Sequence, residues 1–185
     1  MPDRPLLDPS PEPGRPSSER PAFEIRPIRP DEHDALAELT VRAYRAVHGE
    51  VIDGIYLDDL LDVGGRAAAA EVLVAVDGDG TLLGGVTYVP DRSSTMAEFD
   101  DHDAASVRML AVDPRWQGRG AGAALMAACL DRARADGRIR LVLHTTADNT
   151  FAREMYERMG FRRDPVRDWE PDPAVQLVGY ELDLG

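Results

Sequence analysis

The chain contains no lysine: its 21 Lys/Arg positions are all arginine, set against 34 aspartates and glutamates, for a formal net charge of −13. A Walker P-loop needs a lysine on the phosphates and is thereby excluded. So acidic a chain also argues against nucleic acid as a partner, because phosphate contacts require a basic face. There is a single cysteine, Cys129, so no disulfide can close within the chain. No apolar run approaches the ~20 residues that cross a bilayer, and the first residues lack the apolar segment of a signal peptide. A cytoplasmic protein with no membrane partner is expected. His33, His48, His102 and His144 are scattered without ligand-like spacing, so no metal is expected.

What is present suits one domain with a real core: 185 residues, 43% of them hydrophobic. Nine of the 14 prolines fall in the first 30 positions. Residues 1–20 therefore read as a disordered proline-rich arm, and 21–185 as the folded domain. Phe23–Arg26 alternates as a first strand. A helix begins at Asp31, with acids in its first turn and Leu36, Leu39 and Ala43 facing inward. Gly54–Val63 is compatible with a second short helix. Glu71–Val76 and Thr81–Val89 are β-rich and flank Asp77-Gly78-Asp79-Gly80, a hairpin turn. A polar loop, Asp91–Asp103, carries a run of acids. Ile139–Thr145 reads as a strand, Thr150–Met159 as a helix capped by Asn149 and ended by Gly160, and Phe161-Arg162 and Gln176–Leu184 as the last two strands.

The most informative stretch is Arg108–Met126, RMLAVDPRWQGRGAGAALM. A short apolar strand ends at Val112 and is broken by Asp113-Pro114. Gln117-Gly118-Arg119-Gly120-Ala121-Gly122 leads into a helix over Ala123–Ala135. Glycines let the backbone turn and let another group approach. The first N–H groups of a helix lack internal partners and lie at the positive end of its dipole. The combination is an anion cradle suited to phosphates, and Arg119 can add a positive charge. Gly118, Gly120 and Ala123 also fit the dinucleotide pattern G-x-G-x-x-A. That pattern wants its glycines immediately after the strand and an acid ending the next one, whereas here Asp-Pro-Arg-Trp-Gln intervenes and the next strand ends in His-Thr-Thr. A nicotinamide-dependent oxidoreductase is rejected on that ground.

Gln117-x-x-Gly120-x-Gly122, after a strand and opening a helix, resembles the acyl-CoA loop of the GNAT N-acetyltransferase superfamily. About 30 residues on, Asn149-x-x-Ala152-x-x-x-Tyr156-Glu157-x-x-Gly160-Phe161 resembles that family's second motif. The resemblance implies an α/β fold over 21–185: a mixed, mostly antiparallel seven-stranded sheet, splayed between strands 4 and 5 and flanked by about four helices. It implies acetyl-CoA as co-substrate. The backbone of Leu110, Ala111 and Val112 would pair with the pantetheine arm. The amides of Gln117, Gly118, Arg119, Gly120, Ala121 and Gly122 would take the diphosphate, and Asn149 would contact the cofactor arm besides capping its helix.

Acyl transfer to an amine needs a neutral amine, a donor for the developing oxyanion and a proton for the departing thiolate. The resemblance makes Tyr156 the candidate acid; inward packing alone would also explain it. Many family members carry a glutamate where this chain has Ser106, so the base is open: Glu98 and Asp103 are candidates, Glu98 being the one carried forward. His144 reads as a packed or hydrogen-bonded strand histidine. The buried-looking Cys129 offers no thiol for a covalent route. The expected activity is direct acetyl transfer to a primary amine of a small molecule or peptide, and the acids of 91–103 hint at a polyamine, aminoglycoside or basic peptide. The alternative is a non-catalytic acyl-CoA-binding sensor, which the missing strand glutamate favours. Family members can be homodimers; no feature of the sequence decides that.

Overall fold

The structure is a computed structural model that describes residues 23–49, 54–172 and 175–185. The proline-rich arm lies outside the described residues. Among the described residues eight strands form one sheet: β1 (Phe23–Pro27), β2 (Glu71–Asp77), β3 (Leu82–Val89), β4 (Ala104–Val112), β5 (Arg140–Thr146), β6 (Arg162–Arg163), β7 (Trp169–Asp172) and β8 (Val175–Asp183). Their order is β1-β2-β3-β4-β5-β8-β6, with β7 also paired to β8. All neighbours are antiparallel except β4 and β5. Among the described residues five helices flank the sheet: α1 (His33–His48), α2 (Gly54–Leu61), α3 (Val63–Ala69), α4 (Ala121–Ala135) and α5 (Thr150–Arg158).

The sheet has a core on each face. On one, Leu36, Leu39 and Ala43 of α1 pack with Val63 of α3 against Val72, Val74 and Val76. On the other, Leu125, Met126, Cys129 and Ala133 of α4 pack against Leu73, Val86, Val107 and Leu143. Both faces of β2 are covered, which is why Val72–Val76 reads as an unbroken apolar run rather than an alternation. At Gly85 of β3 a Cβ would lie 2.7 Å from Leu36 Cδ1 and 3.2 Å from the Leu73 carbonyl, so the absent side chain lets α1 settle on the sheet.

The eighth strand is β7. Its Glu170-Pro171-Asp172 gives no strand signal, and Pro171 is tolerated because β7 pairs on one side only. The fifth helix arises because the 54–69 segment is two helices rather than one. Asp62 divides them, its side chain accepting from the Gly65 amide at 2.8 Å.

The parallel pairing of β4 with β5 runs from Ala104↔Arg140 only to Val107↔Leu143. Both strands continue, β4 to Val112 and β5 to Thr146, without facing each other. The sheet is thus splayed between strands 4 and 5. A bulge adds to this: Met109 has φ 52°, and the β3–β4 register shifts between Gly85↔Ala111 and Thr87↔Arg108.

The entry to α1 is fixed by Arg26 of β1, whose Nη1 donates to Glu32 Oε2 at 2.8 Å, with the Arg29 amide donating to the same oxygen at 2.9 Å. Both side chains are 14% exposed. The Arg26 hydrogen bond holds the Glu32 carboxyl at about 2, below its ordinary 4.5. The stabilisation is therefore complete above pH 4.5 and lost as pH falls toward 2. Glu32→Gln is expected to lower the unfolding free energy by roughly 2 kcal/mol at pH 7. That gap to the parent should close in acid; equal denaturant midpoints at pH 7 would contradict it.

Candidate active site

The loop between β4 and α4 is pinned at its strand end. Asp113, 1% exposed, accepts from the Arg115 amide and Nε, both at 2.9 Å, and pairs with Arg115 Nη2 at 2.8 Å and Arg42 Nη2 at 3.3 Å. The Arg115 guanidinium holds its carboxyl far below the usual carboxylate range. Gln117 Nε2 reaches back to the Val112 carbonyl at 3.4 Å. Arg119 lies over the Trp116 ring, 4.6 Å from its centroid, which orients a cation beside the loop.

Beyond Gln117 the chain turns through Gly118 (φ 74°) and Gly120 (φ 88°) into α4, which begins at Ala121, two residues earlier than the helix propensities indicate. Gly120 is the N-cap and supplies no side-chain cap. The first satisfied helical amide is that of Ala124, which donates to the Gly120 carbonyl at 3.0 Å. Among the described residues the amides of Ala121, Gly122 and Ala123 are thus bare at the helix mouth, and no Cβ at Gly118 or Gly120 would meet another atom within 4 Å. These residues fit a diphosphate.

The second motif lies against the first. A Cβ at Gly122 would come within 3.5 Å of Met155 Sδ of α5 and of Val112 Cγ2. Asn149 caps α5, its Oδ1 accepting from the Ala152 amide at 3.1 Å, which leaves its NH2 as a donor. Leu110, Ala111 and Val112 lie on the part of β4 that β5 no longer faces, so amides on that edge lack a strand partner.

Tyr156 sits at the apex of the splay. Its ring is 6.2 Å from that of Tyr180 and 5.8 Å from that of Phe161. Tyr180 is the register partner of Leu143, the last residue of β5 to pair with β4. The side chain is buried, burial pushes its phenol upward, and its hydroxyl makes no hydrogen bond among the described residues.

The base candidates separate. Asp103 precedes β4 at the end opposite the glycine loop, its carbonyl accepting from the Ile139 amide. Nine strand residues, on the order of 30 Å, lie between them. Glu98 is held beside the apex by Arg108, the residue after Val107, at 2.6 Å. Ser106 is buried, and its hydroxyl has no hydrogen-bond partner among the described residues. His144 is hydrogen-bonded, Nε2 to the Arg167 carbonyl at 2.8 Å, with its ring edge-on to Trp169. Cys129 is fully buried, and burial pushes its thiol up to about 12. Other acids of the 91–103 loop are already paired: Asp91 with Arg138 at 3.4 Å, Asp101 with Arg140 at 2.7 Å and with Arg167 at 2.9 Å. Sequence reasoning did not single out Tyr44 and Met109, which cluster with Leu57 and Leu60 near Arg66 and Arg108 on the side opposite α4. Arg66 in an alanine-rich helix carries no local signal of burial. Among the described residues no cluster of His, Cys, Asp and Glu could hold a metal, and no helix is long and apolar enough to cross a membrane.

The family model described as "Acetyltransferase (GNAT) family" matches residues 33–161. The chain belongs to the GNAT acetyltransferase family. It is 32% identical to the mycothiol acetyltransferase of Nocardiopsis dassonvillei, over 89% of this chain and 56% of that protein. It is 40% identical to the mycothiol acetyltransferase of Beutenbergia cavernae, over 48% of this chain and 27% of that protein. The chain thus spans from about a quarter to just over half of the length of these relatives. Among solved structures, a GNAT-family acetyltransferase of Staphylococcus aureus Mu50 superposes with a TM-score of 0.70 at 15% identity, covering 89% of this chain and all of that one. The protein yncA of Salmonella typhimurium, solved with its cofactor acetyl-CoA, gives 0.65 at 20% identity, covering 89% and 95%. These similarities bear out the fold expected from the two motifs.

Because Gly120 takes a left-handed conformation, Gly120→Ala is expected to cost about 1 kcal/mol and to lower Tm by roughly 2–4 °C. An unchanged melting curve would show that the loop relaxes freely.

Proposed function

We propose that this protein transfers an acetyl group from acetyl-CoA to a primary amine of a small molecule or peptide, by direct attack. The observation that carries the reading is the bare-amide mouth of α4 set beside the unpaired edge of β4. Acetyl-CoA, when bound, supplies the thioester whose acetyl group is transferred. The amides of residues 117–122 hold the diphosphate, with Arg119 braced on Trp116. The β5-side edge of Leu110, Ala111 and Val112 would hold the pantetheine arm, one N–H polarising the acyl oxygen, and Asn149 would donate to the same arm. Tyr156 keeps its proton at Oη, since burial raises its pKa, and is the donor for a departing thiolate. Glu98, steadied by Arg108, takes the proton of the amine directly or through water.

The buried, unionised thiol of Cys129 supports direct attack over an acyl-cysteine route. The relatives named mycothiol acetyltransferase support a small-molecule acceptor. The acidic chain and its single cysteine suit the cytoplasm. A second reading, an acyl-CoA sensor without chemistry, is favoured by Ser106 in the place of a strand glutamate. CoA release with a panel of amines separates the two.

Tyr156→Phe is expected to lower kcat by about 10²–10³-fold with little change in CoA affinity. In the parent enzyme the raised phenol pKa predicts no alkaline loss of kcat from this group up to about pH 10. An unchanged kcat in Tyr156→Phe would remove Tyr156 as the acid.

A further inference from the structure

Among the described residues Arg66 is the one arginine in the buried interior, 3% exposed. Its Nη1 donates to Thr87 Oγ1 at 3.3 Å and its Nη2 to the Leu60 carbonyl at 3.1 Å. Its Nε has no acceptor. Both acceptors are neutral, and no carboxylate among the described residues forms an ion pair with it. The nearest acid in sequence, Asp62, is engaged in capping α3. A buried charge without a counter-ion is costly, yet no carboxylate among the described residues is hydrogen-bonded or ion-paired to this one.

A second guanidinium adjoins it. Arg108 is the register partner of Thr87, the residue that Arg66 contacts. Its side chain is 20% exposed and holds Glu98 at 2.6 Å and the Met96 carbonyl at 3.2 Å. The groups facing Arg66 are Tyr44 from α1, Tyr56 from α2, Asp62 from the α2–α3 junction and Arg108 from β4. The Tyr44 and Tyr56 rings lie 6.0 Å apart, and Tyr56 is 46% exposed, so the patch opens toward solvent on their side. Arg66 and Arg108 thus lie together near the two tyrosines, with Asp62 capping α3 and Glu98 paired to Arg108, on a molecule that is otherwise strongly acidic.

Building on the acetyl-transfer reading, we propose that this patch seats the acceptor by a carboxylate. The acceptor is an amine that also carries a carboxylate, as an α-amino acid does, with Arg108 making the contact and Arg66 as the positioning charge behind it. Such an acceptor brings a negative charge beside Arg66, which has no ion pair among the described residues, and its pairing with the Arg108 guanidinium is strong and directional. This departs from the polyamine, aminoglycoside or basic peptide suggested by the acids of the 91–103 loop, several of which are paired with arginines.

The test measures CoA release from acetyl-CoA with matched pairs of α-amino acids and their α-carboxamides. The parent, Arg66→Met and Arg66→Lys are compared, with folding followed by circular dichroism. The parent should favour the acid over the amide by about tenfold or more in kcat/KM, chiefly through KM. Arg66→Met should bring that ratio toward one, and Arg66→Lys should restore part of it. If Arg66→Met does not fold, Arg108→Gln is held to the same ratio. Amides used as well as acids by the parent, or a parent-like ratio in a folded variant, overturns the inference while leaving acetyl transfer intact. CoA binding without acetylation of either series overturns this inference; only the further absence of CoA release with the wider panel of amines would overturn the acetyl-transfer reading as well.

Discussion

A folded chain leaves few backbone amides without partners, and among the described residues two sets of them meet at the mouth of α4 and along the β5-side edge of β4. The parallel ladder stops at Val107↔Leu143, so the last five residues of β4 face no strand on the β5 side. Immediately after them the chain enters α4 through an N-cap that offers no side chain. The two sets of amides are continuous, and the Asp113–Arg115–Arg42 cluster keeps them so by fixing the turn between. Helix α5 closes the arrangement from the other side, with Met155 against Gly122 and Tyr156 at the apex.

The arginines divide into two roles. Several tie loops to the sheet through carboxylates: Arg140 and Arg167 share Asp101, and Arg138 takes Asp91. With the Ser94 hydroxyl donating to the Ala69 carbonyl at 2.7 Å, these pairs fasten the 91–103 loop over the sheet. Partly exposed pairs of this kind contribute little each and matter as a network. Arg66 stands apart, buried and with no carboxylate paired to it among the described residues, on the side proposed for the acceptor.

The features legible in the sequence are those set by neighbours along the chain. The Gly118–Gly122 loop, the Asn149 cap, the Asp77–Gly80 turn and Gly137 after α4 are read from local chemistry, and each stands where expected. The helix over Ala121–Ala135 was legible from its Leu125, Met126, Cys129 stripe. What was not legible depends on partners distant in sequence. Strand β7 forms only because β8 offers an edge, and the Ala104–Val107 half of β4 is too rich in small residues to announce itself. The bulge at Met109, the Glu98–Arg108 pair and the burial of Arg66 follow from the sheet register and from helices packing on it. Ser106 shows the limit from the other direction, since its departure from the family pattern was visible but its enclosure was not.

The central claim is that amides at a helix mouth receive the cofactor's diphosphate. Amide chemical shifts in solution, followed by NMR as CoA is added, test it most directly. The account predicts saturable shifts concentrated at residues 118–123 and along 109–112, with the remote β1–β2 edge unmoved. Saturable binding that leaves 118–123 unperturbed, or no shifts anywhere in well-folded protein, would contradict it.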